Sequence, residues 1–589
     1  MKKKILSGNL IIFLLLSLSS CDDEAFLTED PKTNFTINNV FTTPAQVEQT
    51  VIALYAHHRG LLISTDQAAS WLWKSNGTDL IDHSTPNGSL TNYSTFTPEA
   101  VPIKDLFTSW YKLINKANLV IKAANMPQVA WSSEVDKTYA IAQARFFRAY
   151  SYTNLAELWG GVFMVTEVYD VPRYDFERQT RTAIYQYAID ELLAIENDLP
   201  VTTNAGGKIV RGAAQHVLCE LYLALGIQLE ADGKTSEAQT AYDNSISYGN
   251  KVINGGTYSL MTSRFGTRIN ESSVTIDIYK NGTFKASELV DTLLFTPNLY
   301  WDLWQEGNIN YQDGNKECIW AIQCDYDAYK KEDGQARLSY PRMYGPAFRN
   351  WASMTNGTLE DLGGRGVIQQ VPSFLWREII WEGKWGGDLR NSEIVLRRRF
   401  KGNVPGAWYL KVIPWDVFYN YSKPLEEQVF YWAFCFPVSC KYASDKYKGI
   451  EEGENRSNIF RDDYAIRLPE TILLRAEAKQ RKGNKAGAAD DVNLLRTRAK
   501  CSYLVTAADM DDNFNLILDE RARELMYEEH RWNTLLRMGG TVYIDRIKKY
   551  MLWPMNIPTL TRTFNLLPIP QSVIDANNGV EIVQNPGWE

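Results

Sequence analysis

Apolar residues recur at helical spacing most clearly from Tyr464 to Gly539, near the C-terminus. Two short amphipathic blocks stand on either side of the turn residues 482–484, which predicts a helical hairpin. Pro469 suits the first turn of a helix, because its missing N–H has no partner there, and Gly483 permits the backbone that ends one. A third helix is predicted as one continuous element over residues 517–540, closed by two glycines.

The same helical period returns in the N-terminal half of the chain. Small and large apolar residues alternate there as in tetratricopeptide helices, which must stack because one pair cannot bury its apolar face alone. The predicted helices cover residues 40–60, a run that begins at 110, and residues 142–161, 185–199, 210–226 and 236–253. With the C-terminal hairpin they make about four helix pairs, so the sequence predicts a mostly α fold built on a helical scaffold.

A long interruption separates these helix pairs. Residues 271–461 show little sustained helical period and many glycine, proline and aromatic residues. Ten of the 18 tryptophans lie between Trp301 and Trp432. We therefore predict an irregular, aromatic-rich insertion between an N-terminal helical region, 40–270, and a C-terminal helical region, 462–589.

The first twenty residues have the pattern of an export signal. Three lysines precede an apolar run, residues 10–18, that is too short to span a bilayer. The sequence LSSC, residues 18–21, resembles a bacterial lipobox. It predicts cleavage before Cys21, acylation of that cysteine and a lipidated tether over residues 21–39. An ordinary secretory cleavage that leaves Cys21 as a free thiol is the alternative.

The composition narrows the class of protein. A net charge of −8 argues against nucleic acid as a partner and against a basic membrane-binding patch. Hydrophobic residues at 45% allow a large core, and packing accounts for most of the aromatic residues. Among the six cysteines after Cys21, two pairs lie close in sequence, at 318 and 324 and at 435 and 440. Neither has metal-binding or redox spacing, so we predict buried free thiols, with a disulfide in either pair as the alternative.

Several short phrases of the sequence, taken in order, resemble the SusD/RagB family. They are RAEA at 475–478, NLLRTRA at 493–499, ERAREL at 520–525, HRW at 530–532, LPIP at 567–570 and QNPGW at 584–588. The chain departs from the family pattern at Pro469 and Glu529. The resemblance implies a surface lipoprotein of the outer membrane that captures a glycan and delivers it to a SusC-like TonB-dependent transporter. It also implies that the insertion shapes the ligand face, and it brings no cofactor.

The sequence contains no assembled catalytic or metal-binding motif. Nucleophile-elbow, phosphate-loop and zinc-helix patterns are absent, and the chain has only 5 histidines. We expect His57 and His58 to be solvated, His530 to pack within a helix, and Arg145 and Arg148 to pair with carboxylates. A glycoside hydrolase needs only two well-placed carboxylates, so an enzyme stays an alternative. Binding of a peptide stays open as well, as does a structural or adhesive role.

Glycan binding requires aromatic faces for the C–H surfaces of sugars and planar polar groups for their hydroxyls. The turn-rich loop of residues 64–99 and the insertion supply both kinds of residue. The candidate ligand-binding residues are Trp71, Trp73, Asn76, Trp301, Trp304, Tyr344, Trp351, Trp381 and Trp385. Each of them alone is more often structural, and we expect two or three to line the site.

Overall fold

The computed structural model describes residues 37–63, 72–86, 88, 90–282, 286–331, 336–347, 366–414, 436–443, 458–561 and 564–588. Most of the regular secondary structure of these residues is helical. The longer helices are α1 Pro44–Ile63, α2 Val101–Ala124, α3 Glu134–Trp159, α4 Arg181–Ile195, α5 Arg211–Ala231, α6 Thr235–Asn254, α7 Leu468–Arg481, α8 Lys485–Arg498, α9 Asn515–Leu525, α10 Arg531–Met538 and α11 Val542–Tyr550. Shorter α-helices cover Ile37–Val40, Leu299–Asp302, Tyr326–Lys330, Tyr340–Tyr344, Phe374–Arg377 and Gln571–Ala576.

The helices of the scaffold pack as consecutive pairs, as the sequence predicts. α1 lies along α2, α3 along α4, α5 along α6 and α7 along α8, and α6 also packs against α7. At this last contact the Arg475 guanidinium donates to the Asn250 Oδ1, 2.7 Å away and 225 positions distant in sequence. The N-terminal and C-terminal helical regions therefore form one stacked scaffold, although the insertion separates them along the chain.

Local signals set the ends of these helices. α2 begins at Val101, with Pro102 in its first turn, which is earlier than the apolar period indicates. Ser133 caps α3, because its hydroxyl oxygen accepts a hydrogen bond from the Asp136 N–H, 3.3 Å away. At the C-terminal end of α7, Gly483 has a φ of +80°, which confirms its predicted role.

The prediction of one continuous helix over residues 517–540 is wrong. The segment forms two helices, α9 and α10, and the break contains Tyr527, whose φ is +69°. The Lys441 ammonium donates to the carbonyl oxygens of Glu524 and Met526, at 2.6 and 3.2 Å. In a continuing helix these two carbonyl oxygens would accept hydrogen bonds from backbone N–H groups, whereas here they accept from a side chain of the insertion. The break therefore coincides with a contact from elsewhere in the chain.

Four two-stranded antiparallel sheets lie among the described residues. They pair β1 Ile81–His83 with β5 Gln370–Pro372, β2 Val274–Tyr279 with β3 Leu289–Phe295, β4 Cys318–Ile322 with β8 Asp463–Arg467, and β6 Leu396–Arg397 with β7 Val438–Ser439. β1 follows α1 and pairs with the insertion, whereas β8 leads into α7 and pairs with β4. Strand pairing therefore fixes the insertion to both helical regions. The exact boundaries of the three regions stay predictions.

Buried ion pairs hold the insertion against the C-terminal helices. Arg390 contacts the carboxylates of Asp388, Glu520 and Glu524 at 2.6, 2.7 and 3.0 Å, and all four side chains are buried. Removing one partner from such a cluster is costly, because it leaves a buried charge without compensation. The phrase Asp388-Leu389-Arg390 therefore has a structural role.

Two further predictions about polar side chains are confirmed. Arg145 and Arg148 bind the two carboxylate oxygens of Glu191 in α4, at 2.8 and 2.5 Å. Cys318 and Cys324 are buried free thiols, so this pair forms no disulfide. The second pair is not decided by the structure, since Cys435 lies outside the described residues.

Candidate ligand-binding site

The structure places most of the predicted ligand-binding residues inside the protein. Six of them are at most 6% exposed, namely Trp73, Asn76, Trp301, Trp304, Tyr344 and Trp381. Trp385 is partly exposed. Trp71 and Trp351, like the lipidation residue Cys21, lie outside the described residues, so their roles stay predictions.

Trp73 lies in the core and not on a loop surface. Its ring stacks on His530 with ring centres 3.8 Å apart, and its Nε1 donates to the Asn154 Oδ1 at 3.0 Å. Asn76 is also fully buried, and its backbone carbonyl accepts a hydrogen bond from the Trp532 Nε1 at 2.8 Å. The expectation that Trp73 and Asn76 are exposed is therefore wrong, whereas the packing role of His530 is confirmed.

The buried aromatic residues of the insertion are core residues as well. Trp304 meets Tyr464 of β8 edge-on at 4.9 Å, and the Trp381 Nε1 donates to the Trp376 carbonyl at 2.7 Å. Four of the candidates have the structural role that is the more common one for each alone, because the insertion packs their rings inward: Trp301, Trp304, Tyr344 and Trp381. Trp385 differs, since it keeps part of its surface in solvent while the Arg523 guanidinium lies 4.7 Å from its ring centre.

Asp79 draws the segment after α1 into the core. Its carboxylate accepts hydrogen bonds from Arg531, at 2.9 and 2.7 Å, and from Arg546, at 2.8 Å. Burial alone would raise the pKa of Asp79, but the two guanidiniums outweigh burial and lower the pKa to about 2. Sequence reasoning missed this residue, because its partners lie 452 and 467 positions away.

A groove of about 280 Å³ opens where α1 meets the insertion. Helix α1 contributes Ile52, Tyr55 and Arg59 on one side. The residue after β4, Gln323, and a loop residue, Lys208, face them from two other parts of the chain. We call this surface the Tyr55 groove. It joins the N-terminal helical region to the insertion, as expected for a ligand site shaped by both.

The ring of Tyr55 is held in place from several sides. Its O–H donates to the Gln143 Oε1 at 2.7 Å and accepts from the Ile209 N–H at 2.9 Å. The ring meets Phe147 edge-on at 4.9 Å, and the Lys208 ammonium lies 5.3 Å from its centre. Burial raises the pKa of Tyr55 well above its usual range, so the phenol stays protonated. The aromatic wall is therefore formed before any ligand arrives.

Polar groups in the groove suit a hydroxylated ligand. The Arg59 guanidinium donates to the backbone carbonyl of Gln323 at 3.2 Å, and the Gln323 Nε2 donates to the Asn310 Oδ1 at 2.8 Å. The side-chain oxygen of Gln323 accepts no hydrogen bond from the described residues. None of the residues that line the groove is acidic. The groove thus offers an aromatic ring, an amide and two cations.

His58 forms part of the groove lining from within the core. It is 1% exposed and stacks on Trp320 with ring centres 4.5 Å apart. Burial lowers the pKa of His58 to about 3, so its imidazole is neutral at physiological pH. The expectation that His58 is solvated is wrong, because α1 turns this side chain toward the aromatic core. His57 is half-buried, with its Nε2 lying 3.0 Å from the Ser109 carbonyl.

The carboxylates with raised pKa values do not line the Tyr55 groove. Burial raises the pKa of Glu157 and Glu220 between the scaffold helices, and it raises the pKa of Asp82 to about 7. Asp82 accepts hydrogen bonds from the Thr91 hydroxyl and the Leu552 N–H. Over the described part of the chain, no group of three His, Cys, Asp or Glu side chains is arranged to hold a metal ion.

Comparisons with known proteins agree with the helical architecture. A family model described as the SusD family matches residues 437–588, and one described as "Starch-binding associating with outer membrane" matches residues 25–223. The chain belongs to the SusD/RagB family. The SusD-like protein P25 of Formosa agariphila is 22% identical over 97% of this chain and 97% of its own length. A SusD-like protein of Bacteroides ovatus is 25% identical over 38% of this chain and 40% of its own length.

Solved structures of SusD-like proteins share the fold. A SusD homolog from Bacteroides thetaiotaomicron superposes with a TM-score of 0.66 at 16% identity, covering 95% of this chain and 100% of that one. A laminarin-binding SusD-like protein superposes with a TM-score of 0.60 at 17% identity, covering 93% of this chain and 100% of that one. Among the described residues of this SusD family member, no helix has the length and apolar character needed to cross a membrane.

Proposed function

We propose that this SusD family member is a lipid-anchored cell-surface protein that binds an oligosaccharide and delivers it to a SusC-like TonB-dependent transporter. The observation that carries the binding proposal is the Tyr55 groove, where a fixed aromatic ring lies among Arg59, Lys208 and the Gln323 amide. The family description as starch-binding and outer-membrane-associated supports the same class of ligand.

The physical chemistry of the groove favours a sugar. A ring that is already immobilised stacks on a pyranose face with little ordering cost, and amide and guanidinium groups pair with hydroxyls. The volume of about 280 Å³ lies just below the roughly 300–1,000 Å³ typical of small-molecule pockets. The groove therefore suits a short segment of a longer glycan, with both ends of that glycan in solvent.

Attachment to the membrane rests on the N-terminal sequence. The family description supports an outer-membrane location, and the lipobox-like LSSC supplies the means of attachment through Cys21. Several acyl chains on one cysteine exceed the two-signal threshold for stable anchoring. Delivery to a SusC-like transporter is proposed from family membership, and the Tyr55 groove does not bear on it.

Calorimetry on the soluble chain that starts after Cys21 tests the proposal with plant, microbial and host glycans. One class of glycan should bind, and Gln323→Ala should lower its affinity about three- to tenfold by removing a hydrogen-bonding amide. Gln186→Ala, a change in an exposed glutamine of α4, is the matched control and should leave affinity unchanged. Equal affinity for the Gln323→Ala variant would remove the Tyr55 groove from the proposal.

Two outcomes of the same experiment distinguish a hydrolase and a peptide-binding protein from a glycan-binding protein. Sugar released from the bound glycan would indicate a glycoside hydrolase, which needs two facing carboxylates that the Tyr55 groove does not have. Binding of peptides in place of glycans would keep the capture function and change the nutrient. Bound glycan recovered intact is the result that the proposal predicts.

A further inference from the structure

A second groove lies on the helical scaffold, on residues different from those of the Tyr55 groove. It has a volume of about 580 Å³ and is bordered by α2, the segment after α3 and the short helix Gln571–Ala576. Its apolar wall consists of Phe107, Tyr111, Phe163, Val165, Tyr174, Phe176, Val573 and Ala576. We call it the aromatic groove. The volume falls within the roughly 300–1,000 Å³ of ligand-binding pockets.

Hydrogen bonds hold the walls of the aromatic groove in position. The Tyr111 O–H donates to the Phe163 carbonyl at 2.8 Å. On the opposite side, the Asn577 Oδ1 accepts from the Phe176 N–H and its Nδ2 donates to the Phe176 carbonyl, both at 2.8 Å. The Tyr174 carbonyl accepts from the Gly579 N–H at 2.7 Å. The aromatic surfaces are therefore fixed relative to one another without a ligand.

One lip of the aromatic groove exposes large apolar side chains. Tyr174 is 54% exposed and the nearby Val171 is 69% exposed. The Arg173 guanidinium lies 5.0 Å from the ring centre of Phe176 and pairs with Asp175 at 2.9 Å. An exposed ring beside a preformed apolar wall gives a ligand a face on which to stack.

The aromatic groove, like the Tyr55 groove, has cationic side chains in its lining. None of its lining residues is acidic, although the chain has 70 acidic residues and a net charge of −8. Asp175 compensates Arg173, whereas the Lys112 ammonium has neither an ion pair nor a hydrogen bond with the described residues. Asn115, one turn further along α2, and Ser572 also make no side-chain hydrogen bond with the described residues. An unpaired cation beside free polar groups complements an anion that carries hydroxyls.

We propose that the aromatic groove binds an acidic saccharide, whose ring stacks on Tyr174 and whose carboxylate or sulfate pairs with Lys112. Asn115 and Ser572 then bind its hydroxyls. This site is independent of the Tyr55 groove and of the sugar bound there. Lys112 is exposed, so a purely apolar ligand gains nothing from its charge, and a cationic ligand would meet it as a like charge.

Methyl NMR and calorimetry on the soluble chain that starts after Cys21 test this site. The probes are trisaccharides of galacturonate and of mannuronate, with a neutral glucose trisaccharide of the same length for comparison. At least one acidic probe should shift the methyl signals of Val165 and Val573, which line the groove, and leave that of Val201 in place. Absence of these shifts with both acidic probes would overturn the proposal.

Variants separate charge recognition from stacking. Lys112→Gln should weaken the acidic probe about tenfold and leave any binding of the neutral probe unchanged, because only the charge-assisted contact is lost. Tyr174→Ala should also weaken the acidic probe. Lys548→Gln and Leu504→Ala change exposed residues remote in sequence and should have no effect.

The aromatic groove and the Tyr55 groove are distinguished by a steric block. Ile52→Trp fills the Tyr55 groove from an exposed position and should leave acidic-probe binding intact. Loss of that binding in Ile52→Trp would assign the acidic saccharide to the Tyr55 groove and overturn the second site. Equal weakening of acidic and neutral probes by Lys112→Gln would overturn the charge recognition.

Discussion

Arg531 of α10 holds the carboxylate of Asp79 through two hydrogen bonds, Nε to Oδ1 at 2.9 Å and Nη2 to Oδ2 at 2.7 Å. The two residues lie 452 positions apart, and both side chains are fully buried. Arg546 of α11 shares the same carboxylate. This contact joins the segment after α1 to the C-terminal helices, and it explains why Trp73 and Asn76 lie in the core.

Asp79→Asn should destabilise the protein, because it removes the carboxylate that Arg531 and Arg546 share and leaves each with one other carboxylate partner, Glu529 and Asp519 respectively. Breaking a buried ion pair costs about 3–5 kcal/mol, and chemical denaturation measures the loss. Asp198→Asn, at an exposed position, is the control and should change the free energy of unfolding little. A loss as small as that of the control would mean that this ion pair does not hold the segment.

The pH dependence of the same contact has a defined sign. The pKa of Asp79 falls from 3.8 to about 2 on folding, so its stabilisation is fully present above pH 3.8. It is lost as the pH falls from there toward 2. The free energies of unfolding of the natural protein and of Asp79→Asn should therefore become more alike as the pH falls from 3.8 toward 2. A difference that stays constant over this range would contradict the assignment.

The stability that Asp82 contributes depends on pH in the opposite direction. Burial raises its pKa from 3.8 to about 7, so the folded state retains a proton that the unfolded state has already released. The contribution of this group is fully present below pH 3.8 and is lost as the pH rises through 7. Asp82→Asn cannot ionise, so we expect its stability relative to the natural protein to improve between pH 5 and pH 8. Parallel stability curves over this range would contradict the raised pKa.

Trp73→Ala should behave as a core truncation. Replacing a buried tryptophan with alanine costs about 3–5 kcal/mol, because the change removes apolar contacts and leaves a cavity. Trp385→Ala, in which the ring is partly exposed, is the comparison and should cost less. Thermal unfolding of both variants provides the measurement. Similar small losses would mean that Trp73 contributes to stability no more than a surface residue does.

Cys21→Ala tests the lipid anchor. If Cys21 carries the acyl chains, the variant should leave the membrane fraction and appear as soluble protein after cell fractionation. Ser20→Ala, which keeps the cysteine and a small residue before it, is the matched control and should stay with the membrane. Retention of Cys21→Ala in the membrane fraction would contradict anchoring through this residue.

The helical scaffold is predictable from sequence because its signals are local. Apolar residues at helical spacing mark α7 and α8, and Gly483 marks the turn between them. The break between α9 and α10 is not local, since Lys441 of the insertion binds the carbonyls at its start. Apolar residues keep their helical spacing across this break, so the sequence pattern does not indicate it.

The candidate site is harder to predict for a similar reason. An aromatic residue in a turn-rich segment can face solvent or core, and Trp73 faces the core because Asp79 and Arg531 draw its segment inward. Tyr55 belongs to the apolar face of α1, and it becomes a groove wall only because Lys208 and Gln323 come to face it. Those residues are far away in sequence and carry no motif.

The most direct test of glycan capture in the Tyr55 groove is the affinity of Ile52→Trp for the glycan that the soluble chain selects. Ile52 is 56% exposed, so the larger ring should fill the groove without unfolding α1. Val135→Trp, at a 77% exposed position of α3, is the control. We predict that Ile52→Trp abolishes binding while Val135→Trp keeps it. Equal affinity of the two folded variants would contradict the account.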